Sequence, residues 1–241
     1  MRLLIIALLL MLSIPARAGE VTVAVAANFL TTLESLKPGF EAQTGHRITI
    51  IGGATGKLAG QILQGAPFDV FLAADDKTPS KVLAGSKGIA GTEFTYALGA
   101  LALYSADAGR ISGDGAVILQ EAAFTRLAIA NPKLAPYGVA AEQVITALGA
   151  AAQMQGKIVM GENIGQAFAM VSSGNAELGL VALSQVQGQT GSYWPVPPHL
   201  HQPIRQNALL VSDNEAARAL LAYFQSEPAR AIIAKAGYGL P

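Results

Sequence analysis

The stretch VTVAVAANFL, residues 21–30, decides the fold of this chain. Its first six residues form an apolar run rich in valine and threonine, which predicts a buried β-strand. The run stops at Ala27 and Asn28, and apolar residues follow at helical spacing from Phe29. We therefore predict a strand that leads directly into a helix capped by Asn28. Such a helix start presents unpaired backbone N–H groups and the positive end of the helix dipole, which suits an anion.

Three further segments predict the same strand-to-helix turn, namely residues 52–56, 136–138 and 163–165. Open α/β sheets bind their ligands beyond the carboxyl ends of the strands, where all four turns would lie. Together the turns predict a protein that surrounds a small oxyanion with neutral hydrogen-bond donors.

The first 18 residues have the features of a secretory signal peptide. Arg2 supplies the basic start, residues 3–12 the apolar segment, and Ala-Arg-Ala at 16–18 a cleavage site. We expect cleavage after Ala18 and export as a soluble protein. The alternative is an uncleaved N-terminal anchor. A lipoprotein anchor is not expected, because no cysteine follows the apolar segment.

The composition is that of a globular protein with a large core. The chain has 241 residues and no cysteine, 51% of its residues are hydrophobic and only 13% are charged. Removing Arg2 and Arg17 with the leader leaves 14 basic residues against 16 acidic ones, so the exported chain has a net charge of about −2. This charge favours neither nucleic acid nor an anionic membrane as a partner. Anion binding must then depend on local dipoles.

Strand and helix patterns alternate along the chain, which predicts an α/β fold with parallel sheets covered by helices. A helix over residues 30–44 is expected to kink or restart at Pro38. The segment 94–98, which leads into a long strand over 97–104, and the segment 203–209, which follows a proline-rich loop at 194–203, look like crossings between two lobes. We predict a discontinuous first lobe of residues 19–95 plus 206–241 and an inserted second lobe of residues 96–205. The alternative is one larger α/β sheet.

The glycine-rich turn at 52–56 contains Thr55, whose hydroxyl is a candidate donor near the start of a helix. The turn is not a phosphate-binding loop of the G-x-x-x-x-G-K-[ST] type, because Ile51 and Leu58 occupy two of its required positions. Nucleotide hydrolysis is therefore not supported. Lys57 is expected to point to solvent.

The other two turns predict backbone donors. Tyr137 follows Pro136 where a helix should open, so its N–H is a candidate. Asn163 can cap the next helix and leave the N–H of Ile164 free, while Glu162 is expected to be solvated. Taken singly, each turn could equally be an ordinary helix cap or loop.

Catalytic and metal-binding chemistry find little support in the sequence. His199 and His201 have a spacing that could suit a metal, but no third ligand stands near them. There is no G-x-S-x-G motif and no cysteine nucleophile. We predict a protein that is not an enzyme, with an extracytoplasmic hydrolase as the distant alternative.

Six short segments stand in a characteristic order and spacing: VAANFL (25–30), GATG (53–56), GAPFDVFLAAD (65–75), NPKLAPYG (131–138), ENIGQA (162–167) and AGY (236–238). In these segments the chain resembles the periplasmic molybdate-binding proteins of ABC-type importers, over essentially the whole exported chain. The resemblance implies a two-lobed type II periplasmic binding protein fold. It also implies that the lobes close on molybdate, or on tungstate, in the cleft between them.

By position, the resemblance makes Asn28 and Thr55 side-chain and backbone donors, Tyr137 and Ile164 backbone donors, and Ala27 a possible fifth contact. Many members have serine where Asn28 and Thr55 stand. Some members have a further, distal tyrosine donor. This chain has Ala182-Leu183 at the corresponding place, so that contact is not carried over. Molybdenum would be held only within the oxyanion, with no direct protein–metal ligand.

The resemblance further implies a periplasmic protein, expected to be monomeric, that delivers its ligand to the membrane permease of an ABC importer. No cofactor, nucleic acid or direct membrane insertion is expected. The nearest alternative is a binding protein for another oxyanion, such as sulfate, chromate or vanadate.

Overall fold

The computed structural model of the protein describes residues 18–241. The predicted signal peptide therefore lies outside the described residues, apart from Ala18. Within them, no helix combines the length and the apolar character needed to cross a membrane.

Two sheets and their connecting helices account for most of this range. In chain order the strands are β1 (Glu20–Ala26), β2 (Arg47–Gly53), β3 (Val70–Leu72), β4 (Phe94–Gly99), β5 (Leu101–Ser105), β6 (Leu127–Ala130), β7 (Ile158–Gly161), β8 (Leu178–Ala182), β9 (Ser192–Pro195) and β10 (Ile204–Leu210). The α-helices are α1 (Leu30–Thr44), α2 (Thr55–Leu63), α3 (Lys77–Ala84), α4 (Gly115–Glu121), α5 (Pro136–Ala147), α6 (Ile164–Ser172), α7 (Leu183–Val186), α8 (Glu215–Phe224) and α9 (Glu227–Lys235). Short 3₁₀ helices cover Ala27–Phe29 and Pro198–Leu200.

The two sheets are built on one plan. The first has the strand order β2-β1-β3-β10-β4 and the second the order β7-β6-β8-β5-β9. In each sheet the first two pairings are parallel and the last two antiparallel, so the sheets are mixed rather than mainly parallel. The antiparallel strands are the ones that carry the chain between the sheets.

The strand predicted over 97–104 is in fact two strands. β4 belongs to the first sheet and β5 to the second, with Ala100 between them. The apolar run is continuous in the sequence because both strands are buried, and a hydrophobic pattern carries no mark of a change of sheet. The predicted lobe boundaries at 95/96 and 205/206 fall inside β4 and β10, both of which pair in the first sheet.

Other differences from the sequence prediction are local. Helix α1 runs through Pro38 without interruption, with Leu33, Leu36 and Phe40 on its buried side. Packing of this apolar face offsets the backbone bond that proline removes. β9 pairs with β5 and includes Trp194 and Pro195, which the sequence placed in the proline-rich loop at 194–203. These details leave the predicted α/β sheet architecture unchanged.

Each lobe has its own core. In the first lobe α1, α8 and α9 pack on one face of the sheet, and an aromatic group of Phe29, Tyr96, Phe224 and Tyr238 lies within that core. Helices α2 and α3 pack with each other near the opposite face. The second lobe has a separate core around β5, β6 and β8. This arrangement leaves the carboxyl ends of β1, β2, β6 and β7 facing the junction of the lobes.

Candidate anion-binding site

The four predicted turns meet at one small cavity between the lobes. Its lining residues are Ala26, Ala27, Asn28, Gly53, Ala54, Thr55, Ala74, Ala135, Pro136, Tyr137, Asn163 and Ile164. All five residues predicted as ligand contacts are among them, with two turns contributed by each sheet. The roles of these residues in binding stay predictions, but the structure brings all of them together.

Helix starts supply backbone donors to this cavity. Thr55 and Ile164 are the first residues of α2 and α6, and Tyr137 is the second residue of α5. Helix geometry leaves the N–H groups at these positions without an intrahelical acceptor. Among the described residues, none of these three N–H groups donates to another protein group. They are therefore available to an anion.

Thr55 combines a buried hydroxyl with such an N–H group. Its side chain is almost wholly buried, and its Oγ1 accepts a hydrogen bond from the N–H of Ala74 at 3.1 Å. A hydroxyl has one donor hydrogen as well as acceptor lone pairs. The bond from Ala74 fixes the oxygen and leaves the hydroxyl hydrogen for a ligand.

The predicted capping role of Asn28 is wrong. The chain leaves β1 through the 3₁₀ helix Ala27–Phe29, whose N-cap position is Ala26 and which has no side-chain cap. The Asn28 carboxamide instead donates through Nδ2 to Oε1 of Gln206 at 2.8 Å and to the hydroxyl of Tyr238 at 3.1 Å. Its Oδ1 is buried and has no hydrogen-bond partner in the described part of the protein.

Asn163 does cap its helix, as the sequence predicted. Its Oδ1 accepts a hydrogen bond from the N–H of Gln166 at 3.0 Å, which fixes the first turn of α6. The N–H of Ile164 is thereby held at the cavity, with Ile164 itself 3% exposed. Asn163 is thus both part of the cavity wall and the support of a donor.

A buried polar cluster behind the cavity was missed by the sequence analysis. Gln206, on β10, accepts hydrogen bonds from Asn28 and from the hydroxyl of Tyr96, and donates to the hydroxyl of Tyr137 at 3.4 Å. The hydroxyl of Tyr238 donates to the backbone oxygen of Asn28 at 2.7 Å. The only sequence signal was the AGY motif at 236–238, which the resemblance recorded without assigning a role to its tyrosine.

Burial keeps the phenols of this cluster neutral. Desolvation raises the pKa of Tyr238 to about 12, and raises the pKa values of Tyr96 and Tyr137 well above the usual 10. Desolvation disfavours the charged phenolate, which accounts for the direction. The cluster therefore carries no charge at neutral pH.

None of the described residues that line the cavity is charged. The nearest ion pair joins the turns beside it: Nζ of Lys57 lies 3.0 Å from Oε1 of Glu162. Both side chains are partly exposed to solvent, as the sequence predicted, but the sequence did not predict that they pair with each other. Within residues 18–241 no group of three or more His, Cys, Asp or Glu residues is placed to hold a metal ion.

The lobes are in contact around the site. The N–H of Gly56 donates to the backbone oxygen of Leu134 across the lobes at 2.9 Å, and Oγ of Ser184 donates to the hydroxyl of Tyr238 at 2.9 Å. The cavity offers only about 10 Å³ to a water-sized molecule. A ligand larger than water therefore needs the lobes to separate before it can enter.

A larger cleft of about 580 Å³ lies beside the cavity and shares Ala74, Ala135 and Pro136 with it. Its charged lining residues are Lys77, Lys81, Lys133, Arg205, Asp75 and Asp76. The excess of basic groups makes this side of the site locally positive, although the chain as a whole is close to neutral.

The two sheets and the donor-lined cavity between them are those of a ligand-binding protein, and comparison with known proteins gives its family. The family described as bacterial extracellular solute-binding proteins matches residues 21–239. The chain belongs to this family. It is therefore a solute-binding protein and not an enzyme.

Relatives with assigned ligands cover nearly the whole chain. The molybdate-binding protein ModA of Azotobacter vinelandii is 48% identical over 237 residues, covering 95% of this chain and 94% of the relative. ModA of Rhodobacter capsulatus is 43% identical, covering 97% and 93%. The solved periplasmic molybdate-binding protein of Azotobacter vinelandii superposes with a TM-score of 0.86 and 40% identity, covering 92% of this chain and 99% of that one. The predicted two-lobed type II fold is thereby confirmed.

Proposed function

We propose that this protein captures molybdate, and also tungstate, and delivers it to an ABC importer. The observation that carries the proposal is the single uncharged cavity on which Asn28, Thr55, Tyr137 and Ile164 converge. The two relatives that are most similar among those described above support molybdate as the ligand. In this proposal Ala27 is a fifth contact, and the oxyanion is cargo rather than a resident cofactor.

Neutral donors suit a dianion that has no proton. Each helix start contributes roughly half a positive charge, so α2, α5 and α6 together offset most of a double negative charge. Molybdate at neutral pH can accept a hydrogen bond at every oxygen. Monohydrogen phosphate has a proton that needs an acceptor, and leaving it unpaired costs about 1–3 kcal/mol. Such a site therefore favours molybdate over phosphate.

Sulfate has the charge and protonation state of molybdate, so only size distinguishes them. The shorter bonds of sulfate prevent donors spaced for the larger ion from all reaching it. Tungstate is nearly the size of molybdate and should bind comparably. The rival proposal, a binding protein for sulfate, chromate or vanadate, differs only in donor spacing.

The expected affinity is high. Roughly six charge-assisted hydrogen bonds at about 1.5–3 kcal/mol give about 9–18 kcal/mol before costs. Lost freedom of the ligand and closure of the lobes remove about 4 kcal/mol or more. The remainder is about 5–14 kcal/mol, and the larger part of this range exceeds the roughly 8 kcal/mol that corresponds to a dissociation constant of about 1 µM.

The cellular setting belongs to the same proposal. The leader is removed after Ala18, and the exported protein acts in the periplasm as a monomer. It presents its closed form to the membrane permease. Lobe opening and closing would pivot at Ala100 and at the segment between β9 and β10, where the chain passes from one sheet to the other.

Calorimetric titration of residues 19–241 with molybdate, tungstate, sulfate and phosphate tests the proposal. We expect tight one-to-one binding of the first two and no response to the other two. A response to sulfate alone would keep the fold and replace the ligand. No response to any of the four would refute oxyanion capture at this cavity.

A further inference from the structure

Gln206 is the hub of the buried cluster behind the cavity. It is fully buried, lies on the strand that returns the chain to the first lobe, and bonds to a candidate ligand residue from each lobe. Asn28 is its partner from the first lobe at 2.8 Å, and Tyr137 its partner from the second at 3.4 Å. The absence of a side chain at Gly99 makes room for this meeting, since a Cβ there would clash with the hydroxyl of Tyr137 and lie 2.9 Å from Nε2 of Gln206.

The present pairing leaves one acceptor unused. Nδ2 of Asn28 is committed to Gln206 and Tyr238, whereas its Oδ1 has no partner among the described residues. Asn28 lines the cavity, and Oδ1 is the end of its carboxamide that no group among the described residues engages. A buried acceptor without a partner is destabilising, and an oxyanion offers it no hydrogen. A donor at that position would suit molybdate far better.

The structure points to a way of supplying this donor, and we propose that Gln206 is a positioning residue for the oxyanion site. When the ligand binds, the carboxamides of Asn28 and Gln206 turn over together. Nε2 of Gln206 then donates to Oδ1 of Asn28, and Nδ2 of Asn28 is presented to the oxyanion. This inference rests on the proposed capture of an oxyanion at the cavity and assigns a role to a residue outside it.

The surrounding groups can adapt to this rotation of the two carboxamides because they are hydroxyls, each able to donate or to accept a hydrogen bond. The hydroxyl of Tyr137, an acceptor from Gln206 in the present pairing, would become a donor to its Oε1. The hydroxyl of Tyr96 already lies 3.1 Å from the backbone oxygen of Ala73 and can direct its hydrogen there while accepting from Gln206. Only Tyr238 opposes the turn.

Tyr238 stabilises the arrangement that the structure shows. Its hydroxyl donates to the backbone oxygen of Asn28 and accepts from Nδ2 of the same residue and from Ser184. After the turn it would have to share its hydrogen between two oxygens of Asn28. This cost holds the Asn28 carboxamide in its present orientation until a bound oxyanion offsets it. Tyr238 therefore stabilises the orientation without ligand, and Gln206 supports the orientation with ligand.

Two substitutions of Gln206 test the inference in the exported protein. Gln206→Met keeps the length of the side chain and removes both polar ends. We expect molybdate affinity to fall about tenfold or more at every pH, because Asn28 is no longer oriented. In Gln206→Glu the ionised carboxylate can only accept hydrogen bonds. It therefore keeps Nδ2 of Asn28 bonded to itself and away from the ligand, and it also adds a negative charge.

The glutamate variant provides a readout that packing alone would not change. Its protonated form can donate as glutamine does, and a bound dianion favours that form. We therefore expect its molybdate affinity to rise towards the wild-type value as the pH falls from about 9 to about 6, the range in which buried glutamates titrate. The titratable groups nearby are the phenols of Tyr96, Tyr137 and Tyr238, which stay neutral, and the carboxyl of Asp75 beside Tyr96. The wild type should show no such dependence.

Asn207→Leu is the matched control. Asn207 is the next residue of the same strand and is nearly buried, but its carboxamide bonds to Thr95 and Glu93. This variant should melt at a lower temperature and bind molybdate like the wild type. Both Gln206 variants binding within about twofold of the wild type at all pH values would overturn the inference while leaving the proposed function intact. Failure of the wild type to bind any oxyanion would overturn both.

Discussion

Lys57 and Glu162 join the two lobes through an ion pair, with Nζ 3.0 Å from Oε1 and 3.1 Å from Oε2. Lys57 lies two residues after Thr55, and Glu162 lies two residues before Ile164. The pair therefore connects the second and fourth turns of the site directly. Because the pair bridges the two lobes, separating them would break it, so we expect it to contribute to the free energy of lobe closure.

Removing either partner should weaken molybdate binding through loss of the closed state. Lys57→Met and Glu162→Gln also change the charge near the dianion, so the informative quantity is the coupling energy from both single variants and the double variant. Both side chains are partly exposed, and we expect a coupling of about 0.2–1 kcal/mol that shrinks at high salt. Titration calorimetry at two salt concentrations measures it. The Arg218–Asp213 pair, within the first lobe, is the control and should show no coupling to binding.

The basic cleft beside the cavity should accelerate ligand association. Lys133→Gln removes one positive charge from its lining, and we expect a lower association rate for molybdate at low ionic strength with little change in the dissociation rate. The difference should disappear in high salt, since screening acts on such long-range attraction. Stopped-flow fluorescence can follow both rates. Lys87→Gln, outside the cleft, serves as the control, and equal rates for both variants would contradict the steering role.

Thr55 should contribute to affinity through its hydroxyl. Thr55→Val keeps the branched shape but removes the donor, so we expect binding to weaken by about 1–3 kcal/mol. The same substitution leaves the buried N–H of Ala74 unpaired, so the melting temperature should fall as well. Thr55→Ser retains the hydroxyl and should stay close to the wild type in affinity. If the valine variant loses stability alone, Thr55 is structural and not a ligand contact.

Asn163 allows helix capping and ligand binding to be separated. Asn163→Ala should cost about 0.5–2 kcal/mol of stability and also weaken binding, because the N–H of Ile164 loses its support. Asn163→Asp still caps α6 but places a carboxylate at the cavity, so stability should be kept while affinity falls steeply. Asn214→Ala, which removes the equivalent cap of α8 away from the cavity, should lower stability alone. Thermal melts and titrations on one set of samples compare the three.

The sequence predicted those parts of the candidate site that depend on short local patterns. A strand followed by a cap or a glycine-rich turn is a local pattern, and Thr55, Tyr137 and Ile164 all lie in such patterns. For Asn28 the position after the strand suggested a helix cap, which is wrong, because its carboxamide bonds to a residue 178 positions away. Local patterns identify which residues face a cleft, but not which partners they find there.

Contacts between residues that are far apart in the sequence could not be predicted from local patterns. Gln206 is one glutamine among many, and nothing in its neighbours indicates a buried hub. Lys57 and Glu162 are 105 residues apart, and lysine and glutamate side chains are usually exposed to solvent, so nothing in the sequence indicates that they pair. The change of sheet at Ala100 was hidden for the opposite reason, since strands on both sides of it are equally apolar. These features follow from how the lobes pack together.

Alkaline pH should destabilise the protein through its buried phenols. The folded-state pKa of Tyr238 is raised to about 12, and those of Tyr96 and Tyr137 are also raised well above 10, so the folded state favours the protonated phenols. The stabilisation is fully present below the unfolded pKa of about 10 and is lost as the pH rises through the folded values. For Tyr238 alone the effect is on the order of 2–3 kcal/mol.

Melting temperatures measured from about pH 8 to about pH 11.5 should therefore be flat at first and fall steeply above about pH 10. Tyr238→Phe removes one of the titrating groups, so its melting temperature should start lower and fall less steeply over the same range. Tyr193 is 43% exposed, and its replacement by phenylalanine should leave the shape of the curve unchanged. A curve for Tyr238→Phe that parallels the wild type throughout would mean that the hydroxyl of Tyr238 does not contribute to the alkaline loss.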